Sequence, residues 1–118
     1  MINHRIWSFR AGRALLGAFF AAGALQKITD PVPAMDLLRG MGLPAVLVWP
    51  AMVFNVAGAI ALWFGPRLSL MALALAAYCM VTSVFHFLPD DPWQMTIFVK
   101  NWAIAGGLLV LAGHPDAR

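Results

Sequence analysis

Five polar side chains interrupt the apolar stretches of this sequence, and their types suit the binding of a polar ligand. They are Lys27, Asn55, His86, Lys100 and Asn101. A lysine near the centre of a membrane helix costs ~2.5–3.5 kcal/mol, so such groups need a partner or a purpose. Their ammonium, imidazole and amide groups can donate hydrogen bonds to carbonyl oxygens, and histidine can also relay a proton. We therefore expect a site for a carbonyl-bearing ligand such as a quinone headgroup.

Acidic residues in the loops offer a second interpretation of the same pattern. Asp30, Asp90 and Asp91 follow the apolar stretches that end in Lys27 and His86. These carboxylates could tie the loops to the helices as ion pairs, or they could border a polar pocket. In the second case apolar walls are expected from Phe20, Trp93 and Phe98.

Each polar residue also has a purely structural interpretation. His86 near a helix end is typical of the membrane interface, and Lys27 can extend its ammonium to the headgroups. Asn55 can join two helices by a hydrogen bond. Lys100 is harder to explain in this way, because Thr96, Ala103 and Gly107 share its face, and small residues mark the sides where membrane helices approach.

Several other chemistries find no support in the residue pattern. Cys79 is the single cysteine, so neither an internal disulfide nor a CxxC site exists. His4, His86 and His114 lie on different segments without metal-ligand spacing, so no metal site is predicted. No nucleophile has an adjacent base, which leaves enzymatic activity open. The eight Lys and Arg residues are scattered, which argues against nucleic acid.

The elements that position these residues are four apolar stretches in a single domain of 118 residues. They cover about residues 9–28, 46–64, 68–88 and 95–112, each near the ~20 residues that cross a ~30 Å hydrocarbon core as a helix. The composition agrees, since 62% of the residues are hydrophobic and 11% are charged. The sequence predicts an all-α membrane protein, a bundle of four transmembrane helices, with membrane lipid as its surroundings.

The first loop and the first stretch carry further signals. Residues 34–42 predict a short amphipathic helix at the membrane interface, with Met35, Leu38 and Met41 on one face. The first stretch could instead be a signal peptide, since Ala22-Gly23-Ala24 resembles a cleavage site. An uncleaved helix is the simpler interpretation, because the apolar pattern continues in phase to Lys27.

Charge distribution predicts the orientation of the bundle. One side would hold both termini and the Arg67 turn, with five arginines (Arg5, Arg10, Arg13, Arg67 and Arg118) against Asp116. The other side would hold both longer loops, with three lysine or arginine residues against four aspartates. By the positive-inside rule we expect both termini to lie in the cytoplasm.

Four motifs in order resemble the DoxX-like family of small four-helix membrane proteins. The first is Arg13–Gly17 with Ala22–Lys27, the second Gly40–Pro44, the third His86-Phe87 with Asp91–Trp93, and the fourth Phe98–Asn101 with Gly106–Leu109. One departure concerns Asn55, which stands near a position where many members carry an acidic residue. Asparagine can hydrogen-bond there, but it cannot titrate.

The resemblance implies a redox-associated subunit of a bacterial inner membrane, which fits a quinone-headgroup site near the outer face. The alternative is a structural or accessory subunit of a larger membrane complex, in which the same polar residues only join helices. A small transporter would need a second copy to enclose a path, and the polar residues cluster near one end. We expect other membrane subunits or further copies of the chain as partners.

Overall fold

The computed structural model of the chain describes residues 3–117, which form five α-helices joined by turns. The helices are α1 (His4–Thr29), α2 (Val32–Gly40), α3 (Val48–Phe64), α4 (Leu68–Ser83) and α5 (Pro92–Ala112). Single 3₁₀ turns at Ala45–Leu47, Val84–His86 and Pro115–Ala117 precede α3, extend α4 and follow α5. Residues 3–117 contain no strand, which confirms the all-α prediction.

Local sequence explains where the helices begin and end. α1 ends before Asp30-Pro31, because proline removes a backbone donor and restricts the residue before it. Asp91 caps α5, and Pro92 occupies the first turn of that helix, where its missing N–H costs nothing. Arg67 adopts a left-handed φ of 58° in the tight turn between α3 and α4.

Two helix pairs form the bundle, since α1 packs along α3 and α4 packs along α5. The two pairs meet at Gly58 of α3, where an added Cβ would lie 2.7 Å from a methyl carbon of Leu75 on α4. Leu62, Leu75 and Leu108 are completely buried, and Phe20 is 2% exposed. The core therefore lies between the pairs and includes side chains of all four long helices.

Three of the four predicted spans are confirmed as helices long and apolar enough to cross a membrane. They are Ala45–Phe64, Leu68–His86 and Pro92–Ala112. The first predicted span, residues 9–28, lies inside α1, which starts earlier and carries the basic residues Arg5, Arg10, Arg13 and Lys27. α1 is not among the three, so its crossing stays a prediction. Arg118, which the charge count uses, lies outside the described residues.

A short helix is present where the first loop predicts one, as α2 (Val32–Gly40). Ala34, Leu37 and Leu38 face the interior of the bundle end, whereas Met41 is 50% exposed. α2 packs against α3 and against the turns at 45–47 and 84–86. Because α2 contacts both helix pairs, it covers one end of the bundle. Whether it also lies at the membrane interface remains a prediction.

Candidate functional site

A cavity of about 670 Å³ lies at the end of the bundle that α2 covers. Small-molecule sites commonly enclose ~300–1,000 Å³, so the volume suits a ligand the size of a ring headgroup. The C-terminal ends of α1 and α4 border it, together with the N-terminal halves of α3 and α5. Its apolar walls include Phe19, Phe20, Tyr78, Phe85 and Trp93.

All five of the polar residues first singled out line this cavity, although they come from four different helices or turns. Lys27 lies on α1, Asn55 on α3, His86 in the turn after α4, and Lys100 and Asn101 on α5. Asp30, between α1 and α2, and residues of α2 complete the lining. The bundle therefore brings together groups that are up to 74 residues apart in sequence, from Lys27 to Asn101.

The two lysines reach the cavity from different helices, Lys27 from α1 and Lys100 from α5. The Lys100 ammonium lies 5.4 Å from the centre of the Phe19 ring on α1, in a cation–π contact. The Lys27 ammonium lies 3.9 Å from where a Cβ on Gly23 would sit. Among residues 3–117, neither ammonium is within 4.0 Å of a carboxylate oxygen or in a side-chain hydrogen bond. Both groups are thus available to a ligand.

Asn55 is the most deeply buried polar residue of the site, with 3% of its surface exposed. Its amide nitrogen lies 2.9 Å from where a Cβ on Gly23 would sit, so only glycine at that position allows this approach. Its Oδ1 is buried and has no hydrogen-bond partner among the described residues. A buried unpaired amide oxygen costs about 1–3 kcal/mol, which a functional role would explain.

His86 is held by Gln94 on α5, because its Nδ1 lies 2.6 Å from the Gln94 side-chain oxygen. An amide oxygen only accepts, so Nδ1 carries the proton in this pair. In the neutral ring Nε2 is then left as an acceptor. Gln94 is a site residue that sequence reasoning missed, although its spacing of seven from Asn101 places both on one face of α5.

The expected ion pairs between the loop aspartates and the cavity lysines are not found among residues 3–117. Asp91 accepts hydrogen bonds from the backbone N–H groups of Trp93 (3.1 Å) and Gln94 (3.2 Å), so the start of α5 uses its carboxylate. Asp90 is exposed in the turn, and neither aspartate lines the cavity. Asp30 does line it, whereas the predicted wall residue Phe98 does not.

The chemical character of the cavity is that of a donor-rich pocket with aromatic walls. Lys27, Lys100 and the amides of Asn55 and Asn101 can donate, and His86 can accept at Nε2. Within the described residues, no three His, Cys, Asp or Glu side chains come together as metal ligands would. The arrangement suits a ring with acceptor oxygens.

Comparison with known proteins identifies a family model and a relative that match most of the chain. The DoxX family model matches residues 9–88, which is more than half of the chain. The inner membrane protein YqjF of Escherichia coli strain K12 is 28% identical over 101 residues, covering 85% of this chain and 78% of that protein. No solved structure matches.

These matches agree with the four motifs in the sequence and with the apolar helices of the fold. The relative and the three candidate spans support a multi-pass protein of the inner membrane. Residues 9–88 include four of the five helices wholly or in part, together with three of the five polar cavity residues, Lys27, Asn55 and His86. On this evidence the chain is a membrane protein that belongs to the DoxX family.

Proposed function

We propose that this chain is a redox-associated subunit of the inner membrane that binds a quinone headgroup in the cavity beneath α2. The observation that carries the proposal is the pair of ammonium groups, Lys27 and Lys100, which face a cavity with aromatic walls and have no acidic partner within 4.0 Å among residues 3–117. Charge at membrane depth is expensive, so a bound acceptor would recover part of that cost.

The headgroup would be held by hydrogen bonds to its carbonyl oxygens. Lys27 on α1 and Lys100 on α5 could each donate to a carbonyl, and the amides of Asn55 and Asn101 could add donors. The rings of Phe19, Phe20 and Trp93 would pack against the faces of the quinone ring. Aromatic pairs of this kind contribute about 0.5–1.5 kcal/mol each beyond their buried area.

His86 would serve the protonated form of the ligand. With its Nδ1 proton donated to Gln94, the free Nε2 could accept a hydrogen bond from a quinol hydroxyl. If a redox centre of a partner subunit takes two electrons from the quinol, two protons leave its hydroxyls, and that nitrogen could take one of them. Histidine suits this exchange because its ordinary pKa lies near neutrality.

The proposal includes four spans with both termini in the cytoplasm, so that the cavity lies near the outer face. Leu15 and Leu25 on α1 are 72% and 60% exposed, and such side chains are expected to face lipid in a fourth span. Arg5, Arg10, Arg13 and Arg67 all lie at the end opposite the cavity. The positive-inside rule places that end in the cytoplasm.

A titration with a short-tailed quinone tests the proposal directly. Trp93 lines the cavity, so quinone binding should quench its fluorescence, and a Trp93→Phe variant assigns that signal against the other four tryptophans. We expect Lys100→Met to bind at least about tenfold more weakly, which corresponds to ~1.4 kcal/mol. The matched control is Arg39→Gln on α2, whose side chain is 59% exposed and outside the cavity. Equal affinity in Lys100→Met and the wild type would contradict the proposal.

The accessory-subunit function remains the second candidate, because the same cavity could be filled by a side chain of a partner subunit. Purification in mild detergent separates the two. If the wild type retains no quinone and Lys100→Met loses a co-purifying membrane protein, the accessory function is favoured. If quinone co-purifies with the wild type and not with Lys100→Met, the site is a quinone site.

A further inference from the structure

A second concave site lies at the opposite end of the bundle, between α1 and α3. It has a volume of about 270 Å³ and is lined by Arg10, Arg13, Ala14 and Trp63. Arg10 and Arg13 are three residues apart on α1, so they share one face of that helix. Trp63 is the penultimate residue of α3, which places this groove at the end of the two helices.

Arg13 is held rigidly in this groove, yet most of its donors are unused. Its Nε donates to the backbone oxygen of Leu62 at 2.7 Å, and its guanidinium carbon lies 5.7 Å from the centre of the Phe9 ring. Among residues 3–117, no acceptor bonds its terminal nitrogens, and no acceptor bonds the Arg10 side chain. A guanidinium has five N–H donors in a fork that matches the oxygens of a phosphate.

The Trp63 side of the groove is fixed just as firmly. The Trp63 indole N–H donates to the Ala14 backbone oxygen at 3.1 Å. Its ring lies so close to Gly17 that any Cβ there would overlap it. Tryptophan prefers the level of the lipid headgroups, where its ring is apolar on one side and its N–H is satisfied. The groove therefore presents two arginines beside an interfacial tryptophan.

Electrostatics at this end leave the arginines without an acidic partner. Of the five aspartates, four lie in or near the loops at the cavity end. Asp116 is the exception, and its carboxylate is 3.9 Å from His114. Within residues 3–117, neither Arg10 nor Arg13 is within 4.0 Å of a carboxylate oxygen. A partly buried cation at an apolar helix end calls for an anion from outside the chain.

We propose that the groove between Arg10, Arg13 and Trp63 binds the phosphodiester of an anionic phospholipid. The free donors of the two arginines would bind the phosphate oxygens, and the acyl chains would extend along the apolar surface of α1 and α3. Basic pockets between membrane helices are suited to such headgroups. This site is separate from the quinone cavity and does not depend on the function proposed there.

The test measures the stabilisation of lipid-depleted protein by added lipid. Protein purified in mild detergent is mixed with phosphatidylglycerol or with the zwitterionic phosphatidylcholine, and the Tm is recorded. A ligand that binds only the folded state raises the Tm, so phosphatidylglycerol should raise it more than phosphatidylcholine. The quantity compared is the difference between the Tm values in the two lipids. We expect Arg10→Gln to remove roughly half or more of it, because this substitution removes one of two phosphate ligands.

Arg5→Gln is the matched control, since it removes the same charge from the same helix outside the groove. Arg5→Gln should keep the full difference between the Tm values in the two lipids. If Arg5→Gln loses as much as Arg10→Gln, the attraction is diffuse and the groove is not a site. The proposal is also wrong if Arg10→Gln keeps the full difference, or if inorganic phosphate alone raises the Tm as much as phosphatidylglycerol does.

Discussion

The cations at the two ends of the bundle differ in what they contact, although none of them is fully buried: Arg13 and Lys27 are half-buried, and Arg10 and Lys100 are exposed. At the arginine end, the Arg13 Nε–H bonds the Leu62 carbonyl oxygen at 2.7 Å, and the Trp63 indole closes tightly over Gly17. At the cavity end, Lys100 contacts only the face of the Phe19 ring, and the buried Oδ1 of Asn55 has no partner among the described residues. We call the first end packed because of these two contacts beside its groove, and the second end open because its polar groups face the larger cavity.

The difference shows which cations contribute to the stability of the fold. A charge that bonds a backbone carbonyl in a fixed position stabilises the helix pair that provides both groups. A charge that faces a cavity contributes little to that stability and is available to a ligand. Substitutions that disturb the Arg13–Leu62 or Gly17–Trp63 contact should therefore act mainly through the stability of the protein, and those of the cavity lysines mainly through ligand binding.

The largest effect is expected at Gly17. A Cβ there would overlap the Trp63 ring, so Gly17→Val should cost about 3 kcal/mol or more of stability, and Gly17→Ala should cost less. Unfolding in a denaturing detergent measures this cost. Gly12→Val is the control, since nothing lies within 4 Å of its Cβ position. It should cost less than about 1 kcal/mol, and equal losses at both positions would mean that α1 and α3 are not in close contact.

A pair of charge-to-apolar substitutions compares the two ends directly. Arg13→Met removes a charged hydrogen bond to Leu62 and should destabilise the protein by about 1.5–3 kcal/mol. Lys100→Met removes a cation–π contact and should change stability by less than about 1 kcal/mol. Thermal unfolding in the same detergent gives both values. A larger loss for Lys100→Met than for Arg13→Met would reverse the assignment of the packed and the open end.

Asp91 lies near the open end and yet has a structural contact. Its carboxylate caps α5, so Asp91→Ala should cost about 1 kcal/mol, while Asp91→Asn should be close to neutral because asparagine also caps helices. Quinone affinity should be unchanged in Asp91→Asn, as measured by the same fluorescence titration. Asp90→Ala is the control, because Asp91 and not Asp90 is the cap residue of α5. A loss of quinone affinity in Asp91→Asn would place the carboxylate in the site after all.

The smallest effect is expected for the ion pair on α2. Arg39 and Asp36 are 3.1 Å apart, and both side chains are mostly exposed. Asp36→Asn should therefore change stability by less than about 0.5 kcal/mol. Leu37 and Leu38 of α2 line the cavity whereas Asp36 and Arg39 do not, so quinone affinity should also be unchanged. A clear loss of either property would show that the ion pair keeps the cavity closed.

Much of the fold could be predicted because lipid restricts the choices of the chain. The spacing of apolar stretches and of the Asp-Pro breaks placed the helices to within a few residues, since backbone groups in hydrocarbon must bond within the segment. α1 was the difficult case, because its basic residues reduce its hydropathy. The side of α2 that faces the bundle was not predicted, because a short helix can turn either side toward a bundle whose shape the local pattern does not contain.

The candidate site was predicted in part. The cost of polar groups in lipid pointed to Lys27, Asn55, His86, Lys100 and Asn101, and all five line one cavity. The sequence around Asp91 could not show that this residue is a helix cap. A carboxylate before a proline is typical both of a helix cap and of an ion pair in a loop. The sequence also could not show that Gln94 bonds His86, since that contact depends on how the turn at 84–86 brings α4 and α5 together.

The sequence by itself determined the class of the protein: an apolar, helical membrane chain with a few costly polar residues, and the family that its motifs resemble. The tertiary structure alone decided which of those residues are satisfied. The physical reason is that hydropathy is a property of each segment, whereas hydrogen bonds and close approaches join segments far apart in sequence. Arg13 meets Leu62 and Gly23 meets Asn55 only when α1 packs along α3.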